Sequence, residues 1–234
     1  MLTSTPWASP SDHNNGRAAQ KVTPDLVGFC VRTDVLIRLV VFIWLGLAFV
    51  AGATGVLARL PVPPPAIAVA LTIGALLLIR FSPRSRQAVQ QLGPGPLVLF
   101  HVVRIAAGGY FLVLGARGVL PREFTSPAGW GDIIVGVAAV WVLLRCLPVR
   151  TSGQRLGLLV WNVAGLVDIL GVLGNAVRLF VADPSFVEPF TLLPLAILPT
   201  FVVPIVIVSH VLLFGWSRAK ADAPSRAARV EPWR

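Results

Sequence analysis

Charge is scarce in this chain. Asp, Glu, Lys and Arg make up 13% of its 234 residues, about half the share found in an ordinary soluble domain. Meanwhile 56% of the residues are hydrophobic and the mean hydropathy is +0.80, so water is not the main solvent. Lysine is almost missing, and none falls inside an apolar stretch, which leaves no amine for a Schiff base of the retinal kind. Cysteine is limited to Cys30 and Cys146; both are expected on the cytoplasmic side, where thiols stay reduced, so no disulfide is expected. No GxSxG, HExxH, Walker A, CxxC or CaaX pattern occurs, and no motif therefore names a reaction. The run Gly93-Pro94-Gly95-Pro96 lacks a lysine and leads into an apolar segment, which makes it a turn and not a phosphate loop. No short apolar run with a small-residue cleavage site precedes the first long apolar stretch, so a removable signal peptide is not expected and that stretch serves as the targeting signal.

Long apolar stretches are what the sequence does have. A membrane-crossing helix needs about 20 mostly apolar residues, and the candidates are 37–58, 63–80, 97–116, 127–146, 156–177 and 190–216. The expected fold is an all-α, polytopic membrane bundle of six spans filling 34–217. It lies between a polar, disordered tail (1–33) and a basic C-terminal tail (218–234), with an amphipathic surface helix around Asp25–Arg32 as an alternative for part of the first tail. The fourth span is the weakest, because its helix must begin before Asp132 or run past Arg145 with that side chain snorkelling.

Basic residues fall mostly into every second gap. Arg17, Lys21, Arg32 and Arg38, then Arg80, Arg84 and Arg86, then Arg145, Arg150 and Arg155, and finally Arg218, Lys220, Arg226, Arg229 and Arg234 share one side. Arg59, Arg117, Arg122 and Arg178 share the other. By the positive-inside rule both termini are expected in the cytoplasm, in a bacterial-type inner (plasma) membrane. The net charge of +10 then answers to orientation and anionic lipid headgroups, and no nucleic-acid partner is expected.

Polar groups inside apolar stretches are costly, about 2.5–3.5 kcal/mol each for a charge near the bilayer centre, so they should face protein or water. They are Arg38, His101, Arg104, Asp132, Asn162, Asp168, Asn175, Arg178 and His210. On the third span His101, Arg104, Gly108, Phe111 and Gly115 form one stripe, and on the fifth Gly165, Asp168, Gly171, Asn175 and Arg178 form another. Both stripes are expected to face the bundle interior. Counted from the cytoplasmic ends, Arg38, His101, Arg104, Asn162 and His210 form an inner layer, Asp132, Asn175 and Arg178 an outer one, with Asp168 between.

Several readings of these groups stay open. Asp168 is a protonatable or cation-binding carboxylate neutralised by Arg104, or half of a purely structural ion pair. Asp132 caps the fourth helix at the membrane surface. At that depth it is too far from Asp168 for a paired-aspartate proteolytic site. His101 and His210, at similar depth on separate helices, are candidate axial ligands of haem b or ligands of a metal, with Arg38 or Arg104 near a propionate and Cys30 or Cys146 completing a metal site; the alternative is no cofactor. Pro194, Pro199 and Pro204 interrupt the last span and free carbonyls that lipid cannot satisfy, as in helices that line cavities. Three functions fit: a small solute or proton-coupled transporter with Arg104, Asp168, His101 and Asn162 at its site; a structural or accessory subunit held to a membrane-protein partner or a second copy; and a bis-histidine redox protein. No catalytic residue is assigned.

Overall fold

A computed structural model describes residues 24–227, with side chains at 35 and 37–217; the expectations for residues 1–23 and 228–234 lie outside the described residues. All secondary structure among the described residues is helical. The α-helices are α1 (Pro24–Ala53), α2 (Pro64–Phe81), α3 (Pro83–Leu92), α4 (Pro94–Phe100), α5 (Val103–Ala116), α6 (Arg122–Arg145), α7 (Ser152–Ala182) and α8 (Val203–Ala227). The segment Asp25–Arg32 is thus the start of α1, and the basic tail begins as a continuation of α8.

Local chemistry sets the boundaries. Proline opens α2, α3 and α4, at the first helical position where a missing N–H costs nothing. A capping box starts α7: Thr151 Oγ1 accepts from the Gln154 N–H at 3.2 Å, and Gln154 Oε1 accepts from the Thr151 N–H at 3.1 Å, so two otherwise unpaired donors are satisfied reciprocally. Past the end of α7, Ser185 donates its N–H and hydroxyl to Asp183, which holds that carboxyl below its ordinary pKa. Gly55, at φ 65°, supplies the left-handed turn that ends the run after α1.

Among the described residues five helical stretches are long and apolar enough to cross a membrane: Pro64–Phe81, Pro94–Ala116 (α4 and α5 together), Arg122–Arg145, Ser152–Ala182 and Leu198–Ser217. In α1 the apolar part is shorter, Ile37–Ala53. The outward faces carry Phe42, Leu78, Leu144 and Val181, all well exposed, as expected where lipid replaces water.

Three boundaries differ from the sequence reading. The 97–116 stretch is not one continuous helix. It breaks between α4 and α5, where the His101 N–H donates to Val98 O at 3.0 Å and the Arg104 N–H to His101 O at 3.1 Å; these are the three-residue steps of a 3₁₀ turn. The fourth span begins at Arg122, not 127, because Pro121 precedes the helix and Pro127 is accommodated within it. Asp132 is therefore deep in α6, and its expected role as a cap is overturned. The last span starts near Leu198, not 190. Pro184–Thr191 form a 3₁₀ segment, Leu198–Val202 a π-helical turn, and only then does α8 begin. Pro204 has no N–H for the carbonyl of Thr200; Trp44 Nε1 of α1 donates to that oxygen instead, at 2.9 Å.

Two apolar plugs close the ends of the bundle. At one end Phe124 meets Phe111, Phe186 and Phe190 with ring centroids 5.3, 5.2 and 5.7 Å away, edge-to-face distances that suit aromatic quadrupoles. At the other end Val98, Val142, Leu158 and Leu213 are fully buried together. Between the plugs α5 and α6 come so close that a Cβ on Gly129 would stand 2.7 Å from the Leu112 side chain and 3.0 Å from the Gly108 carbonyl. Only glycine permits that approach, and it places the polar groups of α5 directly against α6.

Candidate functional site

The centre of the bundle is built on Arg104, 1% exposed. Its Nε donates to Asp132 Oδ1 of α6 at 2.6 Å, its Nη2 donates to Asp168 Oδ2 of α7, and its Nη1 reaches the Gly165 carbonyl at 3.4 Å. One guanidinium thus meets two carboxylates from two different helices. Glycines make the room: a Cβ at Gly131 would overlap the Asp168 carboxylate, and one at Gly108 would stand 3.0 Å from the Asp132 Cβ. The expectation that Asp132 and Asp168 lie at separate depths is corrected, since both reach the same arginine. They do so with the guanidinium between them, an arrangement unlike a carboxylate dyad sharing one proton.

Charge counting gives this cluster its chemistry. With both carboxylates ionised the three groups sum to one negative charge, in surroundings where uncompensated charge is expensive. Neutrality requires one further positive charge, and a proton on either carboxyl supplies it. A cavity of about 60 Å³ touches Arg104 and Asp132 and is otherwise lined by apolar side chains such as Phe111, Ile169 and Val206; it is large enough for water. Asp168 borders a separate open groove with Glu123, Pro127 and Asn175.

Less than two helical turns along α7, at Asn162, lies a second group. His101 and His210 are both 0% exposed, with ring centroids 4.2 Å apart. His101 Nε2 is 2.9 Å from Ser209 Oγ, and His210 Nδ1 is 2.8 Å from Asn162 Oδ1. The amide of Asn162 also donates to the His210 carbonyl at 3.0 Å. Trp161 closes the side of the pair, its ring 5.0 Å from His101 and 5.6 Å from His210, and donates Nε1 to Val135 O at 3.1 Å.

The site thus unites Arg104, Asp132, Asp168, His101, His210 and Asn162. Asn175 and Arg178 lie apart at the other end of α7, where Asn175 Nδ2 donates to Glu123 O at 2.9 Å and Arg178 Nη2 to Glu123 Oε2 at 3.1 Å. Arg38 is on the exposed part of α1. Cys146 is buried in the apolar plug near Leu158, and the side chain of Cys30 lies outside the described residues. Among the described residues no three His, Cys, Asp or Glu side chains gather as a metal site. Haem does not fit between the histidines: two metal–nitrogen bonds of about 2 Å each plus the ring radii hold axial imidazole centroids well beyond the observed 4.2 Å. Sequence reasoning missed Ser209, Trp161 and Glu123. Ser209 and Trp161 adjoin His210 and Asn162 in the chain, the one signal that pointed to them.

Residues 61–217 match the protein family described as Domain of unknown function (DUF8737). The match covers α2 to the membrane part of α8 and leaves out α1. No curated protein and no solved structure matches the chain.

Proposed function

The chain belongs to the family described as Domain of unknown function (DUF8737), and from its own chemistry we propose that it is a proton-coupled membrane protein whose Arg104–Asp132–Asp168 cluster takes up and releases one proton. The observation that carries this reading is the imbalance of one buried guanidinium against two carboxylates. Such a cluster is neutral only when it holds a proton, and negative when it does not. A group that gains and loses a proton between a water-sized cavity and an open groove is suited to coupling proton movement to that of a small solute.

The wider reading is a six-span transporter with both termini in the cytoplasm of the inner membrane. Its support is the alternation of Arg and Lys between gaps, together with α1, whose apolar Ile37–Ala53 part extends N-terminally to Pro24 and thereby reaches spanning length. A structural role remains the second reading, favoured by the way Arg104 ties α5, α6 and α7 together.

An infrared titration of the full chain in lipid nanodiscs tests the proposal. A protonated carboxyl stretching band should appear as the pH falls, be lost or displaced in Asp168→Asn, and leave that variant folded. A protonated carboxyl band that is the same in wild type and in a folded Asp168→Asn variant, or an Asp168→Asn variant whose only defect is failure to fold, sinks it in favour of the structural role.

A further inference from the structure

The hydrogen bonds around the histidines point to where their protons are. Ser209 Oγ lies 2.8 Å from Val206 O and 2.9 Å from His101 Nε2; with its single hydrogen on the nearer Val206 O it accepts from His101 Nε2, and in that arrangement Nε2 carries the proton. The Asn162 amide spends its NH₂ on the His210 carbonyl, which turns Oδ1 towards His210 Nδ1, and that nitrogen carries the proton too. Two bare ring nitrogens remain, His101 Nδ1 and His210 Nε2, both fully buried and both without a hydrogen-bond partner among the described residues. Buried acceptors are rarely left so, and two in adjacent rings call for something that carries a hydrogen or a positive charge.

That missing positive charge is also what the neighbouring cluster lacks. Asn162, Gly165 and Asp168 succeed one another at three-residue steps along α7, so the rings and the carboxylates occupy adjacent turns of one helix face. Gly165 lies between them: its carbonyl faces Arg104 Nη1 at 3.4 Å, and a Cβ at this position would stand 2.5 Å from His210 Cε1 and 2.9 Å from Nε2. The ionisable groups in this region are Arg104 from α5, Asp132 from α6 and Asp168 from α7, whereas α2 buries only Pro64, Pro65, Ala68 and Thr72.

We propose that the His101–His210 pair is the second holding place for the single proton of the cluster, an inference that rests on the carboxylates being a proton site. In one form the proton sits on Asp132 or Asp168 and both rings are neutral. In the other the O–H bond is broken, an N–H bond is made at a bare imidazole nitrogen, and one imidazolium stands against two carboxylates and Arg104. Both forms sum to zero charge. Rings 4.2 Å apart hold one proton between them and not two, since like charges repel at that distance.

The test is nitrogen-15 NMR of histidine-labelled full chain in nanodiscs, in a His13→Gln background, titrated alongside the infrared carboxyl band. At high pH each ring should show one protonated and one bare nitrogen, with the hydrogen on Nε2 of His101 and on Nδ1 of His210. As the pH falls, one ring and only one should gain a second proton. Asp168→Asn, which removes one of the two negative charges, should lower the proton affinity of the pair at least tenfold, and Asp168→Glu should restore it. Rings that stay neutral while the carboxyl band titrates overturn the inference and leave the carboxylate reading intact. Simultaneous double protonation of both rings also overturns it, as does a metal ion retained stoichiometrically on the bare nitrogens. If neither carboxyl nor ring titrates, both readings fail together.

Discussion

Arg104 and Arg178 are the same residue in two settings, and the contrast between them shows what burial adds to chemistry. Each meets a carboxylate from α6, and each stands on a helix face shared with small residues. Arg178 and Glu123 are 59% and 69% exposed in their side chains, free to exchange partners with water. Arg104 is sealed at 1%, with Asp132 at 7% and Asp168 at 20%, and its partners cannot be replaced. A surface pair of the first kind contributes about 0–1 kcal/mol. In the second setting the count of charges matters more, because solvent reaches the cluster only along the Asp168 edge.

The sharpest way to break this comparison is to remove each arginine. Arg104→Ala leaves the buried Asp132 carboxylate and the half-buried Asp168 carboxylate uncompensated, and should cost about 3–5 kcal/mol, measured as loss of the monodisperse folded protein in detergent or a large fall in its unfolding midpoint. If Arg104→Ala is as stable as wild type, burial is not what distinguishes the two arginines. Gly165→Ala comes next. Its added methyl meets the His210 ring at 2.5 Å, and overpacking of this kind costs about 1–3 kcal/mol, read in the same unfolding assay. Trp44→Phe keeps an aromatic ring against Phe201 but removes the donor to Thr200 O. A loss of about 1–3 kcal/mol is expected for the unsatisfied carbonyl, with denaturant unfolding as the measure. Arg178→Ala should be the mildest, within about 1 kcal/mol of wild type, and a larger loss there would show that the rim is not as solvated as its exposure implies.

The stripe from His101 to Gly115 was legible in the sequence, because helical periodicity and the cost of polar groups in lipid point the same way, and its members are buried. The other stripe is interior only in part: Gly165 is buried and Asp168 reaches Arg104, whereas Gly171 and Arg178 are exposed. What misled was charge. Asp132 near the start of the fourth apolar stretch reads as an interfacial cap, whereas α6 begins at Arg122 and carries Asp132 well inside it. The break at His101 carries no proline or glycine of its own, so nothing local announced it. Ser209 was invisible for another reason: a hydroxyl in a membrane helix ordinarily bonds its own backbone, as Ser209 does to Val206, and only the fold shows that its free lone pair is aimed at a histidine.

The family match begins at residue 61, so Trp44, which completes the hydrogen bonding of the interrupted last helix, stands outside the matched span. In this chain the first helix works as a built-in splint for that fracture.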